Sequence, residues 1–228
     1  AWTASGSAFD GTYSMASKAH LKILKQGVAA WNRWRQEKPH IVPDLSNENI
    51  FKLGLASTNF SRSDFAGVNF HGTYLHVFDL SSADFKKADL SEANLTSSDL
   101  RGADIRGANL AGAVFRFSDL RGADLSGSDL RQVRFEDANL HGANLSQVDL
   151  RGADLQGIDL CGANLSRADF SGASLNGASL SRADLSGAQL GEVDLRGARL
   201  RSARFVSAHL RGVNLAGLDL CEANLKGA

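Results

Sequence analysis

Every fifth residue from Leu45 to Leu225 is Leu, Ile or Phe, a row of 37 positions without one change of phase. An α-helix repeats every 3.6 residues and a strand alternates every two, so neither can keep such a row on one side. A chain that turns a corner every five residues can. The row therefore predicts a solenoid in which each fifth side chain points at a common axis, an architecture built for binding surfaces rather than for active sites.

The positions around the row obey their own rules. Two residues before it the chain wants something small: of the 30 such positions from Ala83 to Ala228, 21 are Ala, and Ser98, Ser118 and Ser128 are Ser. The preceding residue is mostly Asp or Asn, whose short side chains bond nearby backbone amides in turns. The two following residues are polar or Gly, as in Ala103-Asp104-Ile105-Arg106-Gly107, and suit an outward corner. This grammar, A-(D/N)-L-x-x, closely resembles the pentapeptide-repeat family over the whole stretch from residue 43 to 228. The resemblance implies an all-β fold, a right-handed quadrilateral parallel β-helix with four repeats to each coil. The period of five does not by itself give four sides. Ile158–Leu165 recurs almost unchanged as Leu218–Leu225, twelve repeats later, which fits three such coils and other coil lengths as well. About nine coils stacked at roughly 4.8 Å would make a rod about 43 Å long. Its interior is filled by stacked side chains, without a ligand channel.

Residues 15–42 read as a cap and linker. Leu21, Leu24, Val28 and Trp31 fall at helical spacing, Ser17 is placed to cap the start and Pro39 to stop the helix. A solenoid needs its first coil covered, so one helix over 17–38 is expected to lie there with Trp31 or Trp34 packed on the coil. Residues 1–14 are mostly small and polar and precede the single methionine, Met15, which is read as the natural start after an added or processed tail. At the other end the grammar runs on to Ala228 without a cap, and the family resemblance makes an end-to-end homodimer the expected use of that end.

The formal charge sums to zero but is unevenly spread. Residues 15–42 carry six basic residues and one acidic, 43–195 carry 13 and 21, and 196–228 carry six and two; with Asp10 the total is +5 − 8 + 4 − 1 = 0. A moderately acidic body thus lies between basic ends. Much of its charge sits in triplets such as Asp99-Leu100-Arg101 and Asp119-Leu120-Arg121, read as solvated ladders. No apolar run reaches the 18 or so residues of a membrane span. Cys161 and Cys221 occupy the same repeat position three coils apart, roughly 14 Å by the layer spacing, too far for a disulfide. Two free thiols point to a reducing, cytoplasmic setting.

No catalytic residue, metal site or cofactor is expected. The chain lacks a Walker loop, H-E-x-x-H, C-x-x-C and G-x-S-x-G, and its carboxylates recur because the grammar demands them. The informative places are departures from the grammar. Tyr74 and Val114 replace Asp/Asn, and Val77 and Phe117 replace the second outward residue; with His76 and Arg116 they form a candidate interaction patch, two layers across. The competing reading has Tyr74, His76 and Val77, and Phe78 with them, packed against the N-terminal helix. Near the other end Arg199, Arg204 and His209 replace Asp/Asn in three successive repeats, and with Arg196, Arg201 and Arg211 make a candidate basic collar, unless Asp194 and Glu192 neutralise it. The collar lacks the exposed aromatics of a nucleic-acid reader, so no direct nucleic-acid binding is expected. The function expected is a non-enzymatic protein-protein interaction scaffold. The alternative, implied by family members that protect DNA gyrase, is a DNA-mimicking topoisomerase-binding protein. The unbroken phase leaves that alternative without projecting loops.

Overall fold

A computed structural model describes residues 17–41, 43–45 and 59–228. From Asp64 on, the residue before each central one forms a parallel bridge with its counterpart four repeats later, as in Asp64–Asp84, Asp84–Asp104 and Asp104–Asp124. Four repeats therefore close one coil and give it four sides. Residues 59–228 wind through about eight and a half coils, a stack on the order of 40 Å long. Four positions of the ladder lack the bridge: Asp129/Asp149, Arg134/Asp154, Asp194/Asn214 and Arg199/Asp219.

Each corner has the same construction. The Leu80 carbonyl accepts the Ala83 N–H at 3.1 Å, and Ser82 between them has φ 55°. A turn of this kind needs a positive φ at its third residue, which Gly adopts without strain. Gly102 (φ 64°) and Gly122 (φ 66°) stand there for that reason. The Asp or Asn before the central residue holds the start of the turn: Asp124 Oδ1 accepts the Ser126 N–H at 2.9 Å, and Asn144 Oδ1 the Ser146 N–H at 3.1 Å. Either residue serves, because the accepting oxygen is the same. The turn brings the small residue inward beside the central one. Ala103, Ala123 and Ala143 are buried along with Leu100, Leu125 and Leu145.

The N-terminal end is closed differently. The single helix expected over 17–38 is two helices, α1 (Lys18–Leu24) and α2 (Val28–Glu37), parted at Gly27, whose φ of 91° no helix continues through. Ser17 occupies the N-cap position without a side-chain bond; its own N–H donates to the Asp44 carbonyl. Leu21 and Leu24 are buried, and Val28 and Trp34 pack half-buried against the core. Trp31 is fully buried, 5.7 Å from the Phe65 ring and 5.5 Å from Trp34. Its Nε1–H donates to the Asp64 carbonyl at 2.8 Å, Asn32 exchanges bonds with the Arg62 carbonyl and the Asp64 N–H, and Arg35 reaches the Ala66 carbonyl at 2.6 Å. Side chains of α2 thus satisfy the open edge that a preceding coil would otherwise pair.

On the next side a short strand does the same work at an altered register. Asp44 bridges Asn69, and Leu45 N–H donates to the Asn69 carbonyl, an offset of five repeats rather than four. Asp44 and its bridge partner are thus one repeat further apart in the chain than the other bridged pairs, which an unbroken period of five conceals. Residues 46–58 lie outside the described set, as do the tail and Met15, so the expected lack of projecting loops holds for the register from Asp64 onward. Above the cap the core is aromatic: Phe60, Phe65, Phe70, Phe78 and Phe85 are buried with centroid separations of 5.1–6.0 Å. Further along it is mostly Leu and Ala, with Phe115, Phe135, Phe170 and Phe205 set among them.

Leu145→Lys tests the inward assignment. Leu145 is 1% exposed among Leu and Ala, so an unpaired ammonium there costs at least several kcal/mol. The expected outcome is loss of the β-type circular dichroism over several coils; a soluble variant melting within a few degrees of wild type would refute the assignment.

Candidate protein-binding face

One side of the coil carries Leu75, Leu95, Phe115 and Phe135 at its centre. Tyr74 bridges Asn94, which bridges Val114, so Tyr74 and Val114 lie two layers apart on the same row, roughly 10 Å. Tyr74, Val77 and Phe117 are 47%, 52% and 54% exposed, three of the few large apolar side chains that face solvent. The helices therefore leave them uncovered, against the reading that packs Tyr74 and Val77 beneath the cap. Phe78 does turn inward, but onto Phe60 at 5.3 Å. The Arg116 guanidinium stands 5.3 Å from the Phe117 ring centroid, a cation–π distance.

The backbone adds what residue types alone could not. Val77 and Phe117 occupy the turn position of positive φ, at 59° and 58°. Among the described residues sixteen other than Gly take positive φ, and these two alone are apolar; the rest are Ser, Lys, Arg, Glu, Gln or Asp. A left-handed backbone costs an L-residue about 1–2 kcal/mol, and a β-branched one is an outlier there. Strain of this sort persists where a side chain is needed for something else. The sequence signal was an apolar residue where the repeat places Gly or a polar side chain.

The basic collar does not converge. Arg199 stacks on Ser179, Arg204 on Asp184 and His209 on Gln189, one on each of three successive sides. Arg196 is held by Asp194 at 2.7 Å, and Arg204 reaches the Ser186 hydroxyl at 3.1 Å and Asp184 at 3.9 Å. Arg201 and Arg211 follow Leu200 and Leu210, on the first and third of those sides. The charges encircle the coil, so a flat ligand would meet only some of them at once.

The acidic body is similarly tied up. Arg101, Arg106, Arg121, Arg131 and Arg151 each close on the Asp two residues earlier at 2.5–2.7 Å, and Arg101 and Arg151 also reach the Asp of the next coil at 3.8 and 3.9 Å. The guanidinium hydrogen bonds hold the carboxyls of Asp99, Asp104, Asp119, Asp129 and Asp149 below the ordinary carboxylate range, and that of Asp194 down to about 2. Cys161 and Cys221 are both free thiols. Among the described residues no cluster of metal-ligating side chains occurs, and no helix is long and apolar enough to cross a membrane.

Comparison with known proteins agrees with this architecture. The family model of pentapeptide repeats matches eight copies, spanning residues 55–76, 79–116 and then overlapping stretches from 118 to 227. Among solved structures, HetL, a pentapeptide-repeat protein involved in heterocyst differentiation regulation from the cyanobacterium Nostoc sp. strain PCC 7120, is 30% identical, with 82% of this chain and 84% of that one covered and a TM-score of 0.50. Rfr23 from the cyanobacterium Cyanothece 51142 is 33% identical over 47% of this chain and 60% of its own (TM-score 0.29). QnrB1, a plasmid-mediated fluoroquinolone resistance protein, is 26% identical over 79% and 83% (TM-score 0.26). No curated protein matches.

Two outcomes follow from the geometry. Val77→Gly and Phe117→Gly relieve the left-handed backbone, so each variant is expected to melt at the same temperature as wild type or about 2–4 °C higher; a fall of that size would mean that these side chains support the fold instead. The depressed carboxylates set the acid response. A carboxyl whose folded pKa lies below its unfolded value contributes stability above the unfolded pKa and loses it as pH falls through the folded one. The melting temperature should therefore hold from pH 7 to about 4 and decline between about 4 and 2. Asp99→Asn, Asp119→Asn, Asp129→Asn and Asp149→Asn together, which keep the turn acceptor, should flatten that decline.

Proposed function

The chain belongs to the pentapeptide-repeat family, and on that premise we propose that it is a non-enzymatic scaffold that binds a partner protein on the side bearing Tyr74, Val77 and Phe117. The observation that carries the reading is the placing of Val77 and Phe117 in strained left-handed positions with more than half of each side chain in water. Exposed apolar side chains beside Arg116 and His76 match the composition of an interface core. Between the Tyr74 and Val114 layers stand Asn94, Thr96 and Ser97, polar side chains that set hydrogen-bonding groups between the apolar ones. HetL, described as involved in regulation, is a relative consistent with such a role. With this reading go a right-handed coil, a division into a cap (15–42) and a repeat body (43–228), and a reducing compartment in which both thiols stay free.

The second reading, a DNA mimic that occupies a topoisomerase, is favoured by the net −8 of residues 43–195. Against it, the Arg ladders neutralise the acidic rows one carboxylate at a time, leaving no uniformly acidic side.

Affinity capture with wild-type protein and with a Tyr74→Ala/Val77→Gly/Phe117→Gly variant, read by mass spectrometry, tests the scaffold. A partner held by wild type and lost by the folded variant is expected; partners retained equally by both would remove the function from this side. A DNA gyrase supercoiling assay, with and without a fluoroquinolone, separates the readings. Inhibition or protection that disappears in Asp104→Asn/Asp124→Asn would establish mimicry, and those substitutions keep the turns intact because Asn supplies the same acceptor.

A further inference from the structure

The ladder between coils is lost at four positions, and they fall in two neighbouring pairs. At the first pair the N–H groups of Leu130 and Phe135 do not reach the carbonyls of Asp149 and Asp154. One coil earlier the equivalent bonds are 2.9 Å (Leu110 to Asp129) and 2.7 Å (Phe115 to Arg134). The onset is visible in a stretched bond of 3.4 Å from Gly127 N–H to the Ser146 carbonyl, and the ladder resumes with Leu140 N–H to Asp159 at 3.0 Å. The gap opens a cleft of 460 Å³ floored by Leu130, Val133, Leu150 and Ala153 and continues round the corner as 140 Å³ beside Phe135 and Leu155. The second pair, Asp194/Asn214 and Arg199/Asp219, repeats the pattern between Leu190 N–H to His209 (3.0 Å) and Ser202 N–H to Cys221 (2.8 Å).

The cause is legible in the small inward position. From Ala83 on, six residues there exceed Ala or Ser: Val133, Val148, Ile158, Val193, Val213 and Leu218. Stacked coil on coil, the first three crowd three consecutive pairs (128/148, 133/153 and 138/158), and the last three crowd 193/213 and 198/218. Elsewhere in that stretch no three consecutive pairs hold more than two, and there the bridges persist, as at Asp149–Asp169 and Asp159–Ser179. A close-packed interior has no slack for the added methyls, so the backbone moves instead. It moves on one flank only. At the first seam Asp124–Asn144 and Asn139–Asp159 stay bridged, and at the second Gln189–His209 and Arg204–Asn224 do.

A stack open on two adjacent sides and bonded on the other two is a hinge. We propose that the rod consists of two stiff blocks and a last coil joined by two such hinges, wedged open by bulky residues at the small inward position. The hinges are a quarter-turn apart and share one open side, that of Leu75, Phe115 and Phe135. Bending therefore opens or closes the side that carries Tyr74 and Phe117, although the proposal stands without any partner there.

Hydrogen exchange with mass spectrometry on the wild-type protein is the direct test. Amides in 130–137 and 149–154 should exchange at least about tenfold faster than those in 110–117, and Val133→Ala/Val148→Ala/Ile158→Ala should restore the slower rate. Equal rates in wild type, or fast exchange unaltered in the folded Ala variant, would overturn the proposal. Cys161 and Cys221 lie on either side of the second seam, so nitroxides on these native thiols report its motion. Their distance distribution should be broader than that of Ser61→Cys/Arg121→Cys, also three coils apart but within one block, made in a Cys161→Ser/Cys221→Ser background. Equal widths would remove the second hinge.

Discussion

A side of five residues leaves room inside the coil for one large and one small side chain, and everything else follows from that limit. The turn at each corner closes only if its third residue takes a left-handed backbone, so Gly stands there most often and a polar residue at most of the other corners. The same turn needs an acceptor for an N–H on its outer arm, which Asp or Asn supplies. Parallel stacking then pairs each side with its equivalent in the next coil, giving the rod its backbone hydrogen bonds without a continuous strand. Since no side buries its own core alone, stability spreads through nearest neighbours, and the two ends become the weak points.

At the N-terminal end the solution is polar as much as apolar. Trp31 covers Phe65, but it also donates to the Asp64 carbonyl, and Asn32 and Arg35 bond the remaining edge groups. A cap of apolar residues only would have left buried backbone groups without partners, at a cost of about 1–3 kcal/mol each. Two short helices meet this need better than one long one, because the turn at Gly27 lets α1 lie against the first strand while α2 crosses the coil.

The inward row, the small position and the covering role of Leu21, Leu24 and Trp31 were legible because they are matters of residue type at fixed spacing. Three features were not. A repeat of five is silent about the number of sides, so the extra repeat between Asp44 and Asn69 leaves no mark on the phase. Helical spacing across Gly27 continues even though the helix does not. The collar of Arg196, Arg199, Arg201, Arg204, His209 and Arg211 looks dense in sequence, yet neighbouring repeats face directions a quarter-turn apart, and density along the chain becomes dispersion in space. The patch behaved in the opposite way. Tyr74 and Val114, eight repeats apart in the chain, share a row because two whole coils separate them.

A strict repeat tells little about function where it is obeyed, since each residue that obeys it is accounted for by the fold. Information about use lies in the departures that cost something. Arg for Ser beside an Asp costs almost nothing at the surface and becomes another ion pair. Val for Gly at φ 59° strains the backbone, and Val for Ala in the stack breaks hydrogen bonds between coils. Both kinds of departure cluster: apolar side chains in the left-handed position occur at Val77 and Phe117 on one side, and the two seams open on that same side. Independent drift would scatter them over four sides and all the coils. Their coincidence on the row of Leu75, Leu95, Phe115 and Phe135 is the physical argument that this side, and the bending of the rod beneath it, is what the chain presents to other molecules.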